Sequence, residues 1–197
     1  MSDYELIGIR EVFSRLFVLA VANKMNFSSF TSMLIKSNFI NQIEKNNYDN
    51  INKAINTLFF EITDFFVGYD ESYGIYNDAY WVGQNYFDLH YKTKKSFAYI
   101  FLKLPFKKMM DLYLIYHEMD FSSLVEYFYR RCEEKTILRL LCEESHKSLN
   151  DISIATGISI NTLKKYNESD DYLYKGSFQN IMKIISFFNA SIYLFIC

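Results

Sequence analysis

Breakers are scarce in this chain. Six glycines and one proline, Pro105, are spread over 197 residues. Glycine serves wherever the backbone must pass through positive φ, and proline interrupts helices and strands alike. So few of either over such a length predicts helices joined by short links, an all-α chain. The apolar spacing agrees. From Tyr4 to Met25 the residues Leu6, Ile9, Phe13, Leu16, Phe17 and Ala20 recur at intervals of three and four, which marks one helix face. Ser28 or Ser29 can cap a second helix running through Ile35. Asn46 to Asn50 is a polar break, after which Ile51, Ile55, Leu58, Phe59, Ile62 and Phe66 mark a third helix.

"GYDESYG", Gly68 to Gly74, reads as a loop, and Asn77 or Asp78 can cap the helix after it. That helix carries Trp81, the only tryptophan, with Tyr80, Tyr86 and Leu89. Ser96 to Leu104 fits helix or strand and reads as helix in the company of its neighbours. Pro105 suits the first turn of the next helix, where a missing N–H costs nothing. Asp120 can cap a helix with Phe121, Leu124, Val125 and Phe128 on one face. The boundary is expected near Cys132 to Lys135. This gives a helical N-terminal domain, 1–133, for sensing, dimerisation or partner binding, and a C-terminal domain, 134–197.

Aromatic residues are abundant, with 19 Phe and 17 Tyr. AT-rich coding favours both, and their first use is burial in a core, so the surplus needs no base-stacking role. The net charge of -2 gives no global attraction to nucleic acid. Cys132, Cys142 and Cys197 form an odd set without paired spacing, as expected of reduced thiols in a cytoplasmic protein. The apolar run Leu16 to Ala22 is far too short to span a bilayer.

No constellation points to chemistry. His90, His117 and His146 are scattered, and "HEMD" at His117 to Asp120 lacks the second histidine that a zinc-protease helix needs. Cys132 and Cys142 are too far apart for a zinc knuckle. There is no phosphate-binding glycine loop and no nucleophile-elbow serine. The expectation is a protein that is not an enzyme, with no catalytic residues, no metal and no cofactor. The His117–Glu118 pair reads as solvent-facing or core-edge.

The C-terminal unit is more specific. Leu149 and Ile152 form the inward face of one helix, with Ser148, Asn150 or Asp151 at its start. Thr156-Gly157-Ile158 makes a turn in which Gly157 takes positive φ cheaply and Ile158 plugs inward. Ser159 caps a second helix, "INTLKKYN", from which Leu163 and Tyr166 face inward. Ser177 caps a third, with Phe178, Ile181, Ile184, Ile185 and Phe188 inside and Asn189 at its end. "IYLFIC", 192–197, fits either a short strand or a helix.

Over about residues 135 to 196 this pattern resembles the lambda-repressor-like, Cro-type helix-turn-helix family. The likeness is carried by Ile152, Gly157, Ile158, Ser159, Leu163 and the Ser177–Phe188 segment. It implies that the second helix lies in the major groove of double-stranded DNA. By position the DNA-binding residues would be Ser159, Ile160, Asn161, Thr162, Lys164 and Lys165. Asn161 would bond an adenine edge, Lys165 would reach guanine, Ile160 would meet a thymine methyl, and Lys164 would lie near the backbone.

Two departures stand out. The family's Asn-Gly turn and basic residues are replaced here by Asn167-Glu168-Ser169-Asp170-Asp171, read as an acidic loop. From Glu134 to Cys197 seven basic residues meet seven acidic ones, so the unit nets zero. Ile154 and Ala155 are apolar where the family exposes polar groups and are therefore expected to be covered by another surface, such as the N-terminal domain. Two functions follow. One is a DNA-binding transcriptional regulator of the antitoxin or mobile-element repressor type, a homodimer or a partner-binding protein through residues 1–133. The other is a protein-binding module, a toxin neutraliser or nuclease inhibitor, that keeps the scaffold without strong DNA binding.

Overall fold

The computed structural model describes residues 3–47, 53–65 and 76–195. Among the described residues all regular structure is helical and no strand occurs. The chain divides into two compact units, Met1–Phe121 and Ser122–Cys197.

The first unit holds α1 (Asp3–Ala22), α2 (Phe27–Lys36), α3 (Asn38–Glu44), α4 (Ile55–Thr63), α5 (Asn77–Thr93), α6 (Phe97–Lys103) and α7 (Phe106–Tyr116). Its core is built on the pairing of α1 with α5. A Cβ at Gly83 would lie 2.6 Å from the Ser14 Cα, so the two backbones touch there. The buried Ser14 hydroxyl is satisfied by donating to the Arg10 carbonyl at 2.7 Å. Around this contact the aromatic surplus is consumed. Phe13 stacks on Phe97 at 4.8 Å, Phe17 meets Tyr86 at 5.3 Å, and Tyr86 meets Phe101 edge-on at 4.7 Å. The one polar atom Tyr86 carries inward is matched, its hydroxyl donating to the Leu104 carbonyl at 2.6 Å. Arg10 and Asp88 pair at 2.7 Å along the edge of the same seam.

The helix ends here differ from the sequence reading in instructive ways. Asn26, rather than Ser28 or Ser29, caps α2 by accepting from the Ser29 N–H. Ser37 then ends α2 at Lys36, one residue past the expected Ile35, and caps α3, a helix the sequence reading did not place. α5 starts after Tyr76 with no side-chain cap; Asp78 instead accepts from the Ala79 N–H. Ser96 to Leu104 resolves as helix, with Ser96 as cap of α6 and the Glu44 carboxylate accepting the Phe97 N–H at 2.9 Å. Pro105 stands at the cap position of α7, one residue before its first turn. The expected loop Gly68 to Gly74, and Asn50, Ile51 and Phe66, lie outside the described residues.

The second unit contains all but the first residue of α8 (Phe121–Glu134). It continues with α9 (Ile137–Ser145), α10 (Leu149–Thr156), α11 (Ile160–Glu168), α12 (Asp170–Tyr174), α13 (Phe178–Phe188) and a 3-10 turn at Ile192–Leu194. The sequence-based division at 133/134 falls at the end of α8. Leu124, Phe128, Ile137, Leu138, Ile152, Leu163, Leu173 and Ile184 make its core. Three expectations are corrected. Phe178 is 72% exposed rather than inside, because only Ile184 of its helix is fully buried. Ile154 is 85% exposed rather than covered, and Ala155 is exposed with it. The stretch 167–171 is no loop: α11 runs through Glu168, and Ser169 caps α12 at once.

Candidate nucleic-acid interface

α10 begins with a reciprocal cap. The Asp151 N–H donates to the Ser148 hydroxyl oxygen at 3.2 Å, and the Ser148 N–H donates to the Asp151 carboxylate at 2.8 Å. The Ser148 backbone and hydroxyl bonds hold the Asp151 carboxyl below its usual range. Ile152 is the buried residue of this helix. Gly157 ends it at φ +71°, a conformation that a side chain would strain. Two local bonds then set the path of the turn. The Ser153 hydroxyl donates to the Ile158 carbonyl at 2.7 Å, and the Ile158 N–H donates to the Thr156 hydroxyl oxygen at 3.2 Å. Ile158 is buried between the two helices' ends.

Ser159 caps α11 through the Thr162 N–H at 3.1 Å. Leu163 and Tyr166 are buried, which turns the opposite side of α11 to solvent. Asn161, Lys164 and Lys165 lie there, exposed, at spacings of three and four that put them on one face. Ser159 is exposed at the head of the helix, while Ile160 and Thr162 are half-buried. All six residues named from sequence therefore fall on the cap and first turns of one helix. Among the described residues neither Lys164 nor Lys165 sits in an ion pair, and both are exposed. Lys135 and Arg139 are engaged otherwise, both bound to Glu143, whose carboxyl the Lys135 bond, above all, holds low.

The acidic residues separate into three situations. Glu168 is exposed, four positions after Lys164 and three after Lys165, and so neighbours both lysines on the same face. Asp171 is exposed in the first turn of α12, where a carboxylate suits the helix dipole. Asp170 is half-buried, and its carboxylate accepts the Ile137 N–H of α9 at 2.6 Å. Sequence reasoning missed this role. Its only trace is the Ser169-Asp170-Asp171 order, a helix start signal rather than a loop signal.

His117 and Glu118 stand 3.6 Å apart with Glu118 86% exposed. Among the described residues no cluster of His, Cys, Asp and Glu could hold a metal ion. No helix among the described residues is long and apolar enough to cross a membrane. No family model, no curated protein and no solved structure matches the chain.

Proposed function

We propose that the second unit is a Cro-type helix-turn-helix module and that the chain is a DNA-binding transcriptional regulator. The types it fits are an autoregulating antitoxin and a mobile-element repressor. The observation that carries the reading is the exposed row Asn161, Lys164 and Lys165 on the helix that follows the Gly157 turn, with the inward face closed by Leu163 and Tyr166. α11 would enter the major groove with Asn161 against an adenine edge and Lys165 against guanine. The inward use of Asp170 supports it further, since this removes one carboxylate from the side that would meet phosphate. Residues 1–133 would serve sensing, dimerisation or partner binding. The test is selection of duplexes from a random pool by the full chain, followed by titration of Asn161→Ala. The variant should lose about 1–3 kcal/mol on the selected site and lose preference at one base position, with little change on unrelated duplexes.

A second reading keeps its own support. Glu168, on the face of Asn161, and Asp171 are both exposed, and carboxylates there repel phosphate and suit a basic protein surface. Under it the unit would be a toxin neutraliser or nuclease inhibitor, and Asn161→Ala would leave the weak duplex binding of the chain unchanged.

A further inference from the structure

Asp170 follows α11 by two residues, and by charge alone it should oppose DNA. Its geometry gives it another task. The Ile137 N–H, which it accepts at 2.6 Å, is one of the first-turn donors of α9 that no intrahelical carbonyl can reach. Ile137 is fully buried, so without Asp170 this donor has no water to turn to. The neighbouring residue completes a second tie. The Thr136 hydroxyl donates to the Asn167 carbonyl at 3.3 Å, in the last turn of α11, while also capping α9 by accepting the Arg139 N–H at 3.2 Å. Thr136 too is buried. The end of α11 is thus tied at Asn167 and Asp170 to two consecutive residues at the head of α9. Its start is held separately by Ser159 and the Ile158 plug.

We propose that Asp170 is a positioning residue that fixes the end of α11 to the head of α9 and so sets the direction in which Asn161, Lys164 and Lys165 point. Hydrogen-bond readout of a base edge tolerates displacements of only about 0.5 Å, and without Asp170 the far end of α11 keeps only the longer Thr136–Asn167 bond beside the buried Tyr166. The consequence for DNA rests on the regulator reading; the tie itself does not. The tie rests on the acceptor oxygen that meets the Ile137 N–H. Asp170→Asn keeps an oxygen for the Ile137 N–H, Asp170→Ala removes it, and Asp171→Asn removes a charge with no tie.

The experiment uses the full chain, one duplex selected by wild type from a random pool, and one unselected random duplex. Asp170→Ala should lose the preference for the selected duplex about tenfold. Asp170→Asn should retain most of it, and Asp171→Asn should shift binding to both duplexes alike. A preference unchanged in Asp170→Ala overturns the proposal, and so does a loss that Asp170→Asn does not rescue. Amide hydrogen exchange across Ile160–Glu168, without DNA, is the second readout. Exchange should be faster in Asp170→Ala than in Asp170→Asn, and equal rates overturn the proposal. Should Asp170→Ala not fold, Asp170→Ser, too short to reach Ile137, replaces it in both measurements. If wild type binds no duplex, the regulator reading fails, and hydrogen exchange alone decides the tie.

Discussion

Ile154 and His90 show how far a residue's neighbours decide its effect. Ile154 is apolar, yet 85% of it meets solvent, so it has no packing to lose. Ile154→Glu should change the unfolding free energy by no more than about 0.5 kcal/mol, as for other surface positions. Thermal unfolding checks this, and a large drop would mean that another surface covers the residue after all. His90 is the opposite case. Its ring stacks on Phe97 at 4.2 Å, and its Nδ1–H donates to the Lys95 carbonyl at 2.7 Å. Burial, assisted by the Lys94 charge, holds its pKa below the ordinary 6.5 against the opposing pull of the Lys95 bond. The unfolded chain therefore takes up this proton before the folded one. The contribution is fully present above the unfolded value and is lost as pH falls from about 6.5 towards the lowered folded value. Thermal unfolding followed from about pH 7.5 down to pH 5.5 should show wild type losing more stability, relative to its value at about pH 7.5, than His90→Gln does. An unchanged slope in the variant would contradict this account of the ring.

At the scale of elements, contacts between helices decide more than helix propensity does. Gly83 lets α5 touch α1, and a methyl group there would meet the Ser14 Cα at 2.6 Å and the Phe13 carbonyl at 3.1 Å. Both are backbone atoms, so Gly83→Ala must push the helices apart. It should destabilise the protein by about 1–3 kcal/mol despite the better helix propensity of alanine. Denaturant unfolding measures this, and a stabilised variant would show that the helices separate at little cost. Much of the helical pattern was legible because its signals are local. Gly157 with Ser159, the Ser177 cap and the Phe13–Phe17 spacing each act within a few residues. What was illegible depends on partners distant in sequence or on competing signals. α3 starts at once from the Ser37 that closes α2, with no loop between them to announce a further helix. Phe178 keeps helical spacing but finds nothing to cover it. Asp170 looks like a loop carboxylate until Ile137, 33 residues earlier, is brought to it. The candidate site is intermediate. Its six residues come from the resemblance by position and fall on the cap and first turns of α11, whereas the bonds at the far end of that helix are tertiary.

For the whole molecule the decisive quantity is charge. A chain of net charge -2 cannot hold DNA by its overall field, so under the regulator reading binding would have to come from the few cations on one face and would be sensitive to screening. Asp171 and Glu168 would weaken it further, and the base contacts of Asn161 and Lys165 would have to supply selectivity. The most direct measurement is an electrophoretic titration of the full chain at low and at physiological salt. The duplexes would be random sequences and the promoter of the chain's own gene. The regulator reading predicts a retarded complex that weakens steeply as salt rises and loses its preferred sequence in Asn161→Ala. No complex on any duplex at low salt, the promoter included, would contradict it.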